Sequence, residues 1–532
     1  MSKNYSYYLI LIFLISTFSF FYGIYFGKFH YDGHHFGLAY SDAYEFINGK
    51  KPYKDFFSLY NYITILIQSL SIRLFNQGVM SLVIITNLFY SISLIFLFFL
   101  SKKFLDNFNS FLVPFIIFLI HPAPTYPWGN YFLFFFVLLS LIFFLRNKYI
   151  DLLISAFFFT LAAYTREVFF YCSIIFIIYL IFLKFSFKEN KFNEVYTTKK
   201  IVFFIFSYFL FLLFFLFYFY LDNFLSSYIK YLYLPNVFME FKDTSLVDLF
   251  LNLVRYLFLW SPSRFFEGSY IVIFLGILII NLLFIININL KKFFFKSNLE
   301  NIELSLISIF ALLFFTFSLN EINIFRLICG SSIGLIVVLY LIKKIKNKKI
   351  SNYITIILFI ISIFNLSIVN KSDANLIFKT KSEINNSVPN DIKHFSSNKF
   401  SLETVNNFYL AKEKFKQIKK NCSINYALNF QRDIFFKIIL QDYFLIYQKI
   451  PWFGDTSTEY FLKYHDENIY KKTKELIINN DLVIITDLKG KEKLFKNLNL
   501  KINFYKDYYK FPFTYSQKQI IILTPKSCKN ED

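Results

Sequence analysis

The chain has 532 residues, of which 56% are hydrophobic and 23% aromatic, and its formal net charge at pH 7 is +21. Its mean hydropathy of +0.48 excludes an ordinary soluble globular protein and indicates a polytopic membrane protein. The net positive charge is of the kind found in nucleic-acid-binding proteins, but the positions of the cations argue against such a partner, because they lie mainly in short gaps between apolar runs. In such gaps positive charge fixes the orientation of the chain in the membrane.

Taken in chain order, the apolar runs predict about eleven transmembrane helices. As a single helix, residues 150–185 would be about 54 Å long, against a hydrocarbon core of about 30 Å, so this stretch is predicted to be a hairpin with its turn at residues 165–168. The other predicted spans are residues 6–26, 80–101, 108–121, 131–145, 201–221, 269–290, 302–319, 327–342 and 351–369.

The lysine-rich gaps fall on one side of this arrangement, which places the amino end inside and the chain beyond residue 370 outside. The first run is expected to be a retained signal anchor, because no small-residue cleavage site follows it. The predicted fold class is therefore a polytopic α-helical membrane protein with a C-terminal soluble extracytoplasmic α/β domain. The transmembrane domain covers residues 1–370, with outer loops at 27–79 and 222–268, and the α/β domain covers residues 371–532.

The C-terminal domain contains two short apolar runs, at residues 481–488 and 519–525, that predict buried strands, and residues 458–480 are predicted to be helical. No glycine-rich phosphate loop accompanies these strands, which weakens a nucleotide-binding interpretation. Cys422 and Cys528 could form a disulfide in this domain, although the sequence leaves their pairing open. The chain has no Cys/His metal spacing, and a divalent cation as cofactor remains an open alternative.

The first outer loop is a polar island between apolar runs, YDGHHFGLAYSDAYEFINGKKPYKDFF at residues 31–57. Asp32 follows the first span by a few residues, so its carboxylate is expected at the lipid–water boundary. Asp42 and Glu45 are spaced for a short amphipathic helix on the membrane surface, where they and Asp55 are predicted to be mostly solvated charges. The NGKKP turn ends that helix, and a second amphipathic run continues to RLFNQG.

The segments GKKPYKDFF and RLFNQG resemble the first outer loop of the GT-C superfamily, which includes the protein O-mannosyltransferases and the aminoarabinose transferases. The resemblance is specific over residues 28–78. It departs from the family pattern at Gly33, where a second acid is usual, and at residues 60–62, where Gly-Pro is usual. The resemblance implies an inverting integral membrane glycosyltransferase of the bacterial inner membrane. It would move a sugar from a polyprenyl-phosphate or polyprenyl-diphosphate carrier to an envelope glycan, lipid or protein on the extracytoplasmic side.

Such a transfer needs a base for the acceptor and donors for the leaving phosphate. Asp32 is the candidate general base, with Asp42 as a second carboxylate. Arg166, beside Glu167, and Arg326 are placed at outward span ends, where a guanidinium can bind phosphate bidentately. Further candidates for the same outward cavity are Arg264, His34 and His35; the histidines could bind a metal or orient the acceptor. The structural alternatives are a helix cap for Asp32, paired or topological arginines, and a polar loop for the histidines.

A transporter or flippase of lipid-linked sugars is the alternative function. It should show internal repeats and broken helices near the membrane midplane. The sequence shows no repeat, and its polar groups gather at the outer boundary. A polymerase or ligase of the envelope would carry its large outer loop between late spans, whereas the long loops here are early and terminal.

Overall fold

A computed structural model gives the fold of this chain. The structure describes residues 3–29, 35–56, 58, 60–121, 126–186, 191–233, 265–294, 299–315, 324–363, 386–387, 392–422, 424–429, 437–446, 475, 482–487, 505–513, 518–525 and 528.

Within the described residues, every segment predicted to span the membrane is helical over nearly all of its length. The helices are α1 (Lys3–Gly27), α2 (His35–Ile47), α3 (Tyr62–Phe75), α4 (Met80–Ser101), α5 (Asn107–Ile120), α6 (Gly129–Arg146), α7 (Tyr149–Ala163), α8 (Val168–Ser186), α9 (Lys191–Val195), α10 (Thr198–Leu221), α11 (Leu225–Tyr233), α12 (Phe265–Phe294), α13 (Leu299–Phe315) and α14 (Ile324–Lys343). A further helix, α15, covers residues 348–363. The predicted hairpin is present as α7 and α8, which are separated by a turn at residues 164–167.

Five helices among the described residues are long and apolar enough to cross a membrane, namely α1, α4, α6, α8 and α10. The total of eleven spans stays a prediction. The outer faces of several of these helices expose large apolar side chains: Leu14 is 60% exposed, Ile178 59% and Phe214 65%. Because soluble proteins rarely expose such extended apolar surface, these faces are suited to lipid.

The chain divides into two compact units by packing. The first unit comprises Met1–Ile24, Thr86–Leu221 and Pro235–Leu376, and the second comprises Tyr25–Ile85, Asp222–Leu234 and Ile377–Asp532. The second unit therefore combines the first outer loop, the start of the second loop and the C-terminal segment. The predicted division at residue 370 stays a prediction.

Within the first unit, Glu303 of α13 joins several segments through its buried carboxylate. It accepts hydrogen bonds from Lys103 Nζ at 2.8 Å and from the hydroxyl of Tyr196 at 2.7 Å. The same ammonium donates to the carbonyl of Leu145, at the end of α6. A buried carboxylate needs such partners, because burying an unpaired charge is strongly unfavourable.

The C-terminal segment carries helices α16 (Leu402–Cys422) and α17 (Lys437–Leu440) and a short antiparallel pair, β1 (Asn386–Ser387) and β2 (Lys399–Phe400). Its main sheet has the order β4-β3-β5-β7-β6. The strands are β3 (Tyr426–Asn429), β4 (Leu445–Ile446), β5 (Leu482–Asp487), β6 (Tyr505–Phe513) and β7 (Lys518–Pro525).

Strand β3 pairs in parallel with β4 and β5, whereas β7 is antiparallel to both β5 and β6. The two predicted strands are thus present as β5 and β7, and their buried runs of Ile, Leu and Val explain why they lie inside the sheet. Cys422, at the end of α16, forms a disulfide with Cys528. The predicted helix at 458–480 lies outside the described residues except at residue 475, which is helical.

Candidate functional site

The first loop, which was predicted to be an outer loop, is built on α2, whose carboxyl end has a defined capping geometry. The amide of Gly49 donates to the carbonyl of Phe46, and the amide of Lys50 donates to that of Glu45. These two bonds are those of a Schellman motif, in which the residue after the helix takes a left-handed conformation. Gly49 supplies it with φ +84°. The sequence signal NGKKP therefore ends α2 where it was predicted to end.

Asp42 of α2 is fully buried, with an exposure of 0%, and Glu45 is 4% exposed. The prediction that both are mostly solvated charges is wrong. Ser58, which follows the next turn, donates its hydroxyl to Asp42 Oδ2 at 2.7 Å, and the same hydroxyl oxygen accepts from the amide of Tyr60 at 3.0 Å. Asp42 thus connects α2 to the second half of the loop. Asp55 is exposed, as predicted.

The turn PYKDF is held by its own hydrogen bonds and by a neighbouring helix. Lys51 donates its amide to Asp55 Oδ2 at 2.8 Å, and the amide of Tyr53 donates to the carbonyl of Phe56. The Lys51 ammonium contacts Asp222 Oδ1 at 2.6 Å. The ring of Tyr53 stacks on Tyr231 of α11 with 4.2 Å between centroids. These contacts fix the first loop to the start of the second.

A histidine of the C-terminal segment, His394, contacts α2 directly. Its Nδ1 lies 3.0 Å from the Tyr40 hydroxyl, and its Nε2 lies 3.0 and 3.1 Å from the two carboxylate oxygens of Asp442. The rings of Tyr40 and Tyr44 meet the imidazole edge-on, with centroid distances of 5.6 and 5.1 Å. Both His394 and Tyr40 are buried.

Gln441, the neighbour of Asp442, makes a second contact with α2. Its side-chain amide donates to Ser41 Oγ at 3.1 Å and to Glu45 Oε1 at 2.5 Å. Glu45 also forms an ion pair with Lys50. A carboxylate that is nearly sealed from water thereby has a cation and an amide as partners, which offsets the loss of hydration.

The candidate phosphate ligand Arg166 and its neighbour Glu167 lie in the turn between α7 and α8. The Arg166 amide donates to the Ala162 carbonyl at 3.3 Å, which extends the last turn of α7. Arg166 Nη2 lies 3.9 Å from Glu167 Oε1, and both side chains are half-buried, at 23% and 16% exposure. The ion pair involves one terminal nitrogen of a group that has five N–H donors.

The structure places the remaining candidates only in part. His35 is the half-buried first residue of α2, and the backbone of Arg326 lies in the first turn of α14. The predictions for Asp32, His34 and Arg264, and for the side chain of Arg326, lie outside the described residues. Convergence of these groups in one cavity stays a prediction. In the part of the chain that is described, no group of three or more His, Cys, Asp or Glu residues is arranged to hold a metal ion.

Sequence reasoning missed His394, Gln441 and Asp442. They lie in the C-terminal segment, outside any recognisable motif, and they meet α2 across 354 to 400 residues of chain. The sequence feature that comes closest to indicating this contact is Gly78, the last residue of the RLFNQG motif. A glycine is required there because His394 approaches it closely.

No protein-family model matches the sequence, and no curated protein matches it. Several solved structures share the fold, including the following two. ArnT from Cupriavidus metallidurans bound to undecaprenyl phosphate has 10% sequence identity and a TM-score of 0.52, and the match covers 98% of this chain and 99% of that one. The Archaeoglobus fulgidus oligosaccharyltransferase tethered to an acceptor peptide has 11% identity and a TM-score of 0.50, over 100% of this chain and 75% of that one. The fold that the resemblance of the first loop implied is thus confirmed, and at these identities the matches show the fold alone.

Proposed function

We propose that the chain is an integral membrane glycosyltransferase that moves a sugar from a polyprenyl-phosphate or polyprenyl-diphosphate carrier to a cell-envelope acceptor. The observation that carries the proposal is the fold, which matches nearly the full length of an ArnT bound to undecaprenyl phosphate. The oligosaccharyltransferase with the same fold holds an acceptor peptide instead. The shared architecture thus favours transfer from a lipid-linked sugar donor as the reaction class. The proposed acceptor is an envelope glycan, lipid or protein.

Asp32 is the proposed general base, which takes the proton of the acceptor hydroxyl or amine. It belongs to the short connection between Gly27, which ends α1, and His35, which begins α2. The start of this connection is anchored, because the carbonyl of Lys28 accepts a hydrogen bond from the amide of Lys399 at 2.8 Å. A carboxylate next to the end of a candidate span is suitably placed for a substrate that resides in the lipid.

Arg166 and Arg326 are the proposed ligands of the leaving phosphate. A guanidinium keeps its charge at all physiological pH values and offers paired N–H donors that match phosphate oxygens. The pair with Glu167 would orient the Arg166 guanidinium for this role. Arg264, His34 and His35 complete the proposed substrate-binding set.

The disulfide supports an extracytoplasmic site. Disulfides persist in oxidising compartments and are rare in the cytosol. Cys422 and Cys528 pair within the C-terminal segment, in the same compact unit as the first outer loop. We therefore place both on the outer side of the bacterial inner membrane, where envelope acceptors are found.

The test compares D32N with D55N, because the two substitutions remove one carboxylate each from the same loop. The side-chain amide oxygen introduced by D55N can still accept the hydrogen bond from Lys51, so D55N is the matched control. Each protein is reconstituted in liposomes with an undecaprenyl-phosphate-linked sugar and an envelope extract, and release of undecaprenyl phosphate is measured. We expect D32N to lose transfer by about 10²- to 10⁴-fold while still binding undecaprenyl phosphate, and D55N to retain transfer.

Equal transfer by D32N and the unmodified protein would contradict the role of Asp32. Movement of the intact lipid-linked sugar across the bilayer without release of the phosphate would instead identify a flippase.

A further inference from the structure

The contacts of His394 allow one hydrogen-bond direction when its imidazole is neutral. A carboxylate only accepts, so in the neutral imidazole Nε2 carries the hydrogen that is given to Asp442, and Nδ1 accepts from Tyr40. Burial, followed by the charges of Tyr44 and Asp442, raises the pKa of Tyr40, so its hydroxyl keeps the hydrogen that it donates. The result is a directional chain from phenol to imidazole to carboxylate. Because the hydroxyl is buried, the chain acts as a tether between α2 and the C-terminal segment.

The backbone of His394 is fixed as well. Its carbonyl accepts a hydrogen bond from the amide of Val79 at 2.8 Å, just before α4. A Cβ on Gly78 would lie 2.1 Å from that carbonyl oxygen, so the two backbones are in direct contact. The imidazole is therefore presented to α2 from a residue that is itself held by the end of the first loop.

Gln441 adds a second, independent attachment point one residue before Asp442. It reaches Ser41 and Glu45, which lie one helical turn apart on α2. Together with the Tyr40 contact, these bonds hold α2 at three positions, which restricts both its rotation about its axis and its translation. We call the six residues Tyr40, Ser41, Glu45, His394, Gln441 and Asp442 the α2 clamp.

We propose that His394, Gln441 and Asp442 are positioning residues, through which the C-terminal segment holds α2 and the preceding Asp32 connection in the arrangement needed for transfer. This inference rests on the proposed function. The connection that carries Asp32 ends at the first residue of α2, so any rotation or shift of α2 moves that end directly. Catalytic groups must be held within about 0.5 Å of their productive geometry, and a displacement of about 1 Å can lower the rate about 10²-fold.

The test removes single hydroxyl groups from neighbouring tyrosines of α2. Y40F deletes the hydroxyl that donates to His394 and keeps the ring contact. Y44F deletes a hydroxyl that makes no bond to His394 and keeps its ring contact, so it is the matched control. H394F and the double variant Y40F/H394F complete a double-mutant cycle. For each protein we measure kcat and KM for the undecaprenyl-phosphate-linked sugar, the melting temperature, and amide hydrogen exchange of residues 35–47.

We expect Y40F and H394F each to lower kcat about tenfold, with KM and melting temperature nearly unchanged and with faster exchange in α2. The double variant should be no slower than H394F, because both changes break the same contact. Y44F should behave as the unmodified protein.

The inference is overturned if Y40F and H394F keep normal kcat and normal exchange. It is also overturned if the losses follow the melting temperature and Y44F shares them, because the contacts would then serve stability alone. Absence of transfer by the unmodified protein and by D32N alike would reject the proposed function. In that case hydrogen exchange still tests whether the α2 clamp holds α2 in place. Faster exchange confined to α2 in H394F supports this, and unchanged exchange rejects it.

Discussion

Gly78 provides a sharp test of the packing between the first loop and the C-terminal segment. Its φ of +57° lies in the left-handed region, and an added Cβ would lie 2.1 Å from the carbonyl oxygen of His394 and 2.4 Å from its carbonyl carbon. Gly49 in the same loop has φ +84°, but nothing lies within 4 Å of its Cβ position. The variants G78A and G49A therefore share a backbone strain, and only G78A adds a steric clash.

The expected magnitudes follow from these two terms. A left-handed conformation costs alanine roughly 1–2 kcal/mol, which is the whole expected loss for G49A. In G78A the overpacking adds about 1–3 kcal/mol, and loss of the hydrogen bond from Val79 to His394 adds about 0.5–1.5 kcal/mol. We therefore expect G78A to lose about 2.5–6.5 kcal/mol, about three times as much as G49A.

The measurement is thermal unfolding of both variants in the same detergent at one scan rate, because membrane proteins often unfold irreversibly. Transfer activity of the folded fraction is measured in parallel, and G78A should reduce it, since the displaced backbone belongs to the α2 clamp. Equal melting temperatures for G78A and G49A would refute the close approach of Gly78 and His394. Gly78 would then not be required for steric reasons.

Three further predictions concern other contacts. E303Q removes the charge that pairs with Lys103; because that lysine is about one-third exposed, we expect a discounted loss of about 1–3 kcal/mol, measured by thermal unfolding. C422S removes the disulfide to Cys528, which closes a loop of 106 residues of sequence. We expect the free energy of unfolding to fall by up to about 4–5 kcal/mol, measured as a lower melting temperature in the absence of reductant. Because burial raises the pKa of Tyr40 in the fold, its phenol ionises first in the unfolded chain, and the unmodified protein loses stability as the pH rises above the ordinary value of 10.0. Y40F lacks this phenol, so its melting temperature, nearly equal to that of the unmodified protein at neutral pH, should fall less steeply above pH 10.0.

The helices were predictable because each depends on a local pattern. Apolar runs located each predicted span as a helix wherever the structure describes it, and a length argument alone found the hairpin of α7 and α8. The end of α2 was also predictable, since Asn48 and Gly49 are typical of a left-handed helix terminus. The same local reasoning failed for the polar face of α2. Periodicity predicts which residues share a face, but it does not identify what covers that face.

Partners that are distant along the chain decide the burial of that face. Glu45 is covered by Gln441, which is 396 residues away, and Tyr40 by His394, which is 354 residues away. No local signal marks these pairs. For the same reason the roles of Asp32, Arg166 and Arg326 stay predictions, because a shared pocket depends on contacts between segments that no spacing reveals. Gly78 illustrates the limit of a motif. The sequence identified its position in RLFNQG, but only the fold shows why a glycine is needed there, namely the close approach of His394.

Asp42 has two candidate roles, and its contacts allow them to be separated. As a second carboxylate it would need its charge during transfer, whereas as a connection within the loop it needs only an acceptor for the Ser58 hydroxyl. An asparagine supplies that acceptor without the charge, and an alanine supplies neither. We expect D42N to keep the fold and most of the transfer activity, because removing a buried charge relieves its desolvation. D42A should lose about 1–3 kcal/mol, since it leaves the Ser58 hydroxyl without this partner.

The measurement pairs melting temperatures with transfer rates for D42N and D42A. A fall of about 10²-fold or more in transfer by D42N, at an unchanged melting temperature, would assign the charge of Asp42 to the reaction and contradict the structural role. Normal transfer by D42N with a destabilised D42A would confirm that Asp42 holds the loop through Ser58. In that case Asp32 would stand alone as the proposed base, which a polyprenyl phosphate as leaving group permits, because its departure needs no protonation by a second acid.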